Sequence, residues 1–116
     1  IKTRAGKNRV VPIHPRILPL IRRRAAAGER YLFSRNGRRC SNTQYYILWR
    51  AIMARIGCEH TPHECRHTFR SRLDSAGANK VCIDLMMGHK SLEVGERVYT
   101  HKTIEELHRA IRMIRN

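Results

Sequence analysis

Capping signals cut this chain into short helices, and no long strand or long coiled coil can run through them. Ser41 with Gln44, Thr61 with Glu64 and Thr103 with Glu106 each have capping-box spacing. In that arrangement the first side chain accepts from the backbone N–H three residues on, and the later side chain reaches back to the first residue's N–H. Pro62 follows Thr61 at the first helical position, where its missing N–H would have no partner anyway. Gly28, Gly57, Gly77 and Gly88 stand where helices stop. The pattern predicts a helix from Pro15 to near Gly28, carrying Ile17, Leu18, Leu20 and Ile21 before the basic run at 22–24. Further helices are predicted from Ser41 to Gly57, from 62 to about 75–77, from Asn79 to Met87, and from Thr103 onward. Tyr45, Leu48, Trp49, Ile52, Met53 and Ile56 recur at helical spacing and read as a core stripe, although Tyr45 and Trp49 could instead stack on bases. Residues 10–13 are β-prone and face residues 1–3 across the turn-forming 4–8, which predicts a β-hairpin. Residues 31–33 form a short extended piece before a turn at Asn36 and Gly37. The expected fold class is mainly α with a small β-hairpin or sheet (α+β).

Charge narrows the partner. The 116 residues suit one small domain or a piece of a larger one, and they carry 24 Lys and Arg against 9 Asp and Glu, a formal net charge of +15. The cations are spread along the whole chain. A folded body with this excess attracts polyanions by releasing their counterions, so nucleic acid is the expected partner. A membrane role is not expected, since no apolar run approaches the ~18 residues of a membrane span. No apolar stretch follows the charges at the N-terminus, which predicts an unexported, cytoplasmic protein. Cys40, Cys58, Cys65 and Cys82 form no CxxC pair and are expected to be reduced and mostly buried. Cys58, His60, His63, Cys65 and His67 crowd together, but their spacing matches no common zinc module and Arg66 sits among them. No metal and no other cofactor is expected.

His63 and Arg66 stand three apart on one predicted helix, so their side chains share a face near its N-terminus, where free amides and the helix dipole favour an anion. Arginine grips two phosphate oxygens with its planar fork, and histidine donates a hydrogen bond or shuttles a proton. Such a pair is common by chance, and its company further along the chain gives it weight. Gly88-His89-Lys90-Ser91 follows, and then Val98-Tyr99-Thr100-His101. At these places the sequence resembles the tyrosine recombinase (phage integrase) family. The stretch Thr61-Pro62-His63-Glu64-Cys65-Arg66-His67 is similar to its His-x-x-Arg-His box, Met87-Gly88-His89 to its Leu-Gly-His segment, and Val98-Tyr99-Thr100-His101 to the stretch bearing its nucleophile. The boxes occur in the family's order and, with the predicted hairpin, span nearly the whole chain.

The resemblance implies a site-specific recombinase or integrase acting on double-stranded DNA, as a homo-oligomer that is tetrameric on its site in the complete protein. Tyr99 would attack the scissile phosphate and form a 3′-phosphotyrosyl link, with no metal or nucleotide cofactor. Arg66 would neutralise non-bridging oxygens, His63 would accept a proton or donate a hydrogen bond, and His89 would add a phosphate contact. A hairpin lysine would protonate the leaving 5′-oxygen; Lys2 matches that position best and Lys7 is the alternative. His67 is expected to be structural, and Cys65 a buried thiol where the family usually has an apolar residue. The family's first catalytic arginine precedes the hairpin, and no arginine in this sequence is assigned to it. The chain is therefore expected to be the C-terminal portion of a catalytic domain, over residues 1–116, and inactive in cleavage alone. A non-catalytic DNA-binding module and a type IB topoisomerase are the other readings. The last helix is expected to fold back on its own core or to dock on a neighbouring subunit.

Overall fold

The computed structural model describes residues 7–89 and 102–115, and over these the chain is helical with one two-stranded antiparallel sheet, the fold class expected. It divides into two units, residues 16–66 and residues 1–15 with 67–116.

The first unit contains α1 (Leu18–Ala26), β1 (Ser34–Arg35), β2 (Arg38–Arg39), α2 (Asn42–Ile56) and the start of α3 (Pro62–Ser75). α1 begins at Leu18, later than Pro15, and Ile17 at its N-cap makes no side-chain cap bond. Pro19 explains the delay. Its ring would clash with the carbonyl four residues back inside a helix, so it must lie in the first turn, and the helix cannot start much earlier. The turn at Asn36 and Gly37 forms as expected, with φ of 53° and 74°. Positive φ at both central residues is what a two-residue hairpin turn requires, and Asn and Gly are the residues that tolerate it. The strands lie directly beside that turn, pairing Ser34 with Arg39 and Arg35 with Arg38, and Cys40 N–H donates to the Phe33 carbonyl at 3.0 Å. Residues 10–13 carry no strand; the other arm of the hairpin expected there, residues 1–3, lies outside the described residues.

α2 has both halves of its capping box. Ser41 N–H donates to Gln44 Oε1 at 3.0 Å, and Gln44 N–H donates to Ser41 Oγ at 3.2 Å. Gly57 ends the helix at φ 70°, in the left-handed region that a Cβ disfavours. Its apolar stripe departs from expectation, because no residue of α2 is buried, and Tyr45, Leu48, Ile52 and Ile56 are all exposed. The periodicity set the helix correctly, but burial needs a second apolar layer. Among the described residues of its own unit, a short α1 and a six-residue hairpin do not supply one.

The second unit holds the core. α4 (Lys80–Met87) begins at Asn79, whose side chain accepts from Val81 N–H at 2.9 Å and Cys82 N–H at 3.3 Å, and ends at Gly88 with φ 73°. Val81, Cys82, Ile83, Met86 and Met87 are all buried, so the helix is apolar nearly all round, as a helix enclosed by its neighbours must be. α5 (Ile104–Arg112) is launched by Thr103 and Glu106, whose capping box is complete. Leu107, Ala110 and Ile111 join Leu73 of α3 and Cys82, Ile83, Met86 and Met87 of α4 in one cluster. Of the two expectations for the last helix, the fold back onto its own core is the one seen. His14 Nε2 donates to the Ile114 carbonyl at 3.0 Å, tying the segment before residue 15 to the end of this helix. All four cysteines are free thiols, but only Cys82 is buried. Cys65 is exposed, in a unit where none of the described residues is buried. Among the described residues no helix is long and apolar enough to cross a membrane.

Candidate active site

The first turn of α3 is built by its cap. Glu64 N–H donates to Thr61 Oγ1 at 3.3 Å, and Thr61 N–H donates back to Glu64 Oε2. The His60 ring adds a contact to the same carboxylate, Nδ1 to Oε1 at 3.3 Å. The Thr61 N–H, with the His60 ring second, holds the Glu64 carboxyl below its ordinary pKa. Pro62 fixes φ at the first helical position, so the next residues enter a preformed turn. His63 and Arg66 stand three apart in this turn and the one after it, His63 exposed and Arg66 half-buried. Shared face, helix N-terminus and guanidinium together make an anion-binding arrangement.

Trp49 stiffens the approach to that turn. Its indole N–H donates to the His60 carbonyl at 2.6 Å, linking α2 to the residue just before the cap. A groove of about 890 Å³ beside this bond is lined by Trp49, Arg50, Met53, Cys58, His60 and Thr61. The unit spanning 16–66 has eleven arginines and no lysine against three glutamates. Arg22, Arg23, Arg35, Arg38, Arg39, Arg50 and Arg55 are exposed, and a polyanion would meet them directly.

His89 follows Gly88 at the end of α4, and the structure brings it to Arg70 of α3, Nη1 to Nδ1 at 3.1 Å. Arg70 also bonds the buried Asp84, Nη1 to Oδ1 at 3.2 Å. The sequence reading missed Arg70, though a signal was present. It stands four residues after Arg66 and seven after His63, the spacing of one helix face. Tyr99 and Lys2 lie outside the described residues; Lys7, the alternative lysine, is exposed. Among the described residues no group of three His, Cys, Asp or Glu side chains is placed to hold a metal ion.

Residues 1–106 match the family model of the phage integrase family. The chain belongs to that family. Among curated relatives it is similar to the tyrosine recombinase XerA of Thermococcus kodakarensis, at 31% identity over 114 residues that cover 92% of this chain and 40% of the relative. It is also similar to XerC of Pelobacter propionicus, at 29% identity over 119 residues covering 90% of this chain and 37% of the relative. XerD of Lacticaseibacillus casei is 25% identical over 116 residues, with 90% and 39% covered. The chain thus spans about two fifths of the length of the relatives it matches. No solved structure matches it significantly. All three integrase boxes read from the sequence fall inside the matched residues.

Proposed function

We propose that residues 1–116 form the C-terminal portion of the catalytic domain of a site-specific DNA recombinase, which cleaves and rejoins strands through a phosphotyrosine. The observation that carries this reading is the family match across all three boxes. The capped α3 supports it by presenting His63 and Arg66 on one face of a helix start. Tyr99 Oη attacks the phosphorus as its proton passes to His63, the bond from phosphorus to the 5′-oxygen breaks, and Lys2 protonates the departing 5′-oxygen. Phenol is a poor nucleophile at neutral pH, so the step depends on cations around the transition state. Arg66 and His89 supply charge and hydrogen bonds to the non-bridging oxygens. The new phosphotyrosyl ester keeps the energy of the phosphodiester, and a 5′-hydroxyl from another strand reverses the step. The partner is double-stranded DNA at a specific site, held by a homo-oligomer of the complete protein. The 116 residues alone bind duplex DNA weakly and cleave it negligibly, with one phosphate-gripping arginine assigned where the family uses two.

The test is the covalent adduct. A longer protein containing this sequence is incubated with a suicide duplex, whose cleaved end diffuses away and traps the intermediate. An adduct on the 3′ side that disappears with Tyr99→Phe supports the proposal. Tight binding with no adduct supports a DNA-binding module, and an adduct with supercoil relaxation but no exchange between paired sites supports a topoisomerase. Arg66→Ala should slow adduct formation by about 10²–10³, the usual effect of removing one transition-state donor.

A further inference from the structure

We propose that Arg70 is a positioning residue for His89, held by Asp84 so that the imidazole is fixed with its hydrogen on Nε2. Asp84 is the one buried charged side chain among the described residues, at 4% exposure, in a helix otherwise packed as core. A buried carboxylate is costly unless paired, and Arg70 pairs it from the neighbouring helix at 3.2 Å. The Nε of Arg70 lies 3.7 Å from Asp74 on its own helix, so the guanidinium is held from two sides. Its Nη1 has two hydrogens, one for Asp84 Oδ1 and one for His89 Nδ1. Guanidinium nitrogens only donate and do not lose their protons, so Nδ1 must be the acceptor. In the neutral ring the hydrogen then sits on Nε2.

The backbone of His89 is fixed by the turn that ends the helix. Gly88 turns the chain out of α4, and His89 N–H donates to the Asp84 carbonyl at 2.8 Å. The helix end therefore holds the His89 main chain, while the Asp84 carboxylate, by way of Arg70, holds the ring. The consequence for chemistry rests on the proposed reading of His89 as a phosphate contact, while the tautomer does not. With hydrogen on Nε2 the ring offers a donor to a phosphoryl oxygen. The opposite tautomer would turn a lone pair toward the anion.

The test is a long-range ¹H–¹⁵N spectrum of the labelled 116-residue chain in mildly alkaline solution, with the His89 ring assigned by its loss in His89→Gln. The expected pattern is a protonated, pyrrole-type Nε2 and an unprotonated Nδ1. The double substitution Arg70→Met with Asp84→Leu removes the ion pair as a unit, which buried pairs often tolerate. It should move the two nitrogen signals toward the average of mixed tautomers. Arg70→Lys keeps Asp84 paired and serves if the double variant does not fold; replacing the fork by one ammonium must also shift Nδ1. A hydrogen on Nδ1 in the wild type, or signals indifferent to both variants, overturns the proposal. An Nε2–H ring in a protein whose longer form gives no DNA adduct would remove the recombinase reading and leave the positioning role standing.

Discussion

Trp49 donates its indole N–H to the carbonyl of His60 at 2.6 Å, a bond between the middle of α2 and the residue before the α3 cap. Through it an exposed helix reaches the peptide from which Thr61, His63 and Arg66 are set out. Tyr45 stacks on the same indole at 6.3 Å between ring centroids, which restrains its orientation.

Trp49→Phe keeps most of the apolar contact and removes only the donor. The expected loss is about 1 kcal/mol, the net value of an ordinary hydrogen bond. Trp49 is the single tryptophan, so the midpoint has to be followed in urea by circular dichroism at the helix band. An unchanged midpoint would mean that the bond contributes nothing to the α2–α3 connection.

The caps predict an acid response. Backbone N–H groups of Thr61 and Thr103 hold the carboxyls of Glu64 and Glu106 below their ordinary pKa, with the His60 ring helping at the first and Lys102 at the second. A carboxyl with a lowered folded pKa stabilises the fold at pH above its unfolded value. That contribution fades as pH falls through the lowered folded value. Helix content and urea midpoint should therefore decline through and below the ordinary carboxylate range, and Glu64→Gln with Glu106→Gln should flatten the decline. Thr61→Ala should cost about 1 kcal/mol at neutral pH, as loss of a cap side chain does. An acid profile identical in the doubly substituted protein would refute the assignment.

Local chemistry was legible in the sequence wherever it was self-contained. The three capping boxes, Asn79 before α4, and the Asn36–Gly37 turn all formed as read, because each depends on residues a few positions apart. Pro15 misled because Pro19, the stricter constraint, lies four residues on. The α2 stripe and Cys65 misled for a different reason. Periodicity says which residues share a face, and only tertiary packing says whether that face is covered. At the site, the shared face of His63 and Arg66 followed from spacing alone. The Asp84–Arg70–His89 chain did not, since it joins positions 14 and 19 residues apart whose meeting depends on how α3 and α4 pack.

The thiols should separate by burial. Burial pushes the Cys82 thiol up from its ordinary pKa, with Lys102 opposing, while Cys65 stands exposed on α3. The thiolate is the reactive form, so Cys82 is disfavoured by both access and ionisation. An aromatic disulfide reagent at neutral pH should label Cys65 rapidly and Cys82 only as the protein unfolds. Peptide mapping after a short exposure checks this, and early labelling of Cys82 would show that the α4–α5 core opens readily.

Arg35 and Arg38 face each other across the two-residue turn of the β1–β2 hairpin, with Arg39 beside them and all three exposed. Like charges directly opposite on paired strands repel, so the hairpin is less stable alone than a neutral pair would make it. A phosphate backbone lying against the turn would relieve that repulsion, and each arginine that neutralises a phosphate releases a counterion on binding. Arg35→Gln with Arg38→Gln should therefore leave the urea midpoint unchanged or raise it slightly, and weaken binding of the 116-residue chain to duplex DNA regardless of sequence. The slope of log affinity against log salt should become shallower by about 2, one for each phosphate that is no longer neutralised. Fluorescence anisotropy with a labelled duplex over a series of salt concentrations measures both quantities. A slope equal to that of the wild type would remove the hairpin from the proposed DNA-facing surface and leave Arg22, Arg23, Arg50 and Arg55 as the cations to test next.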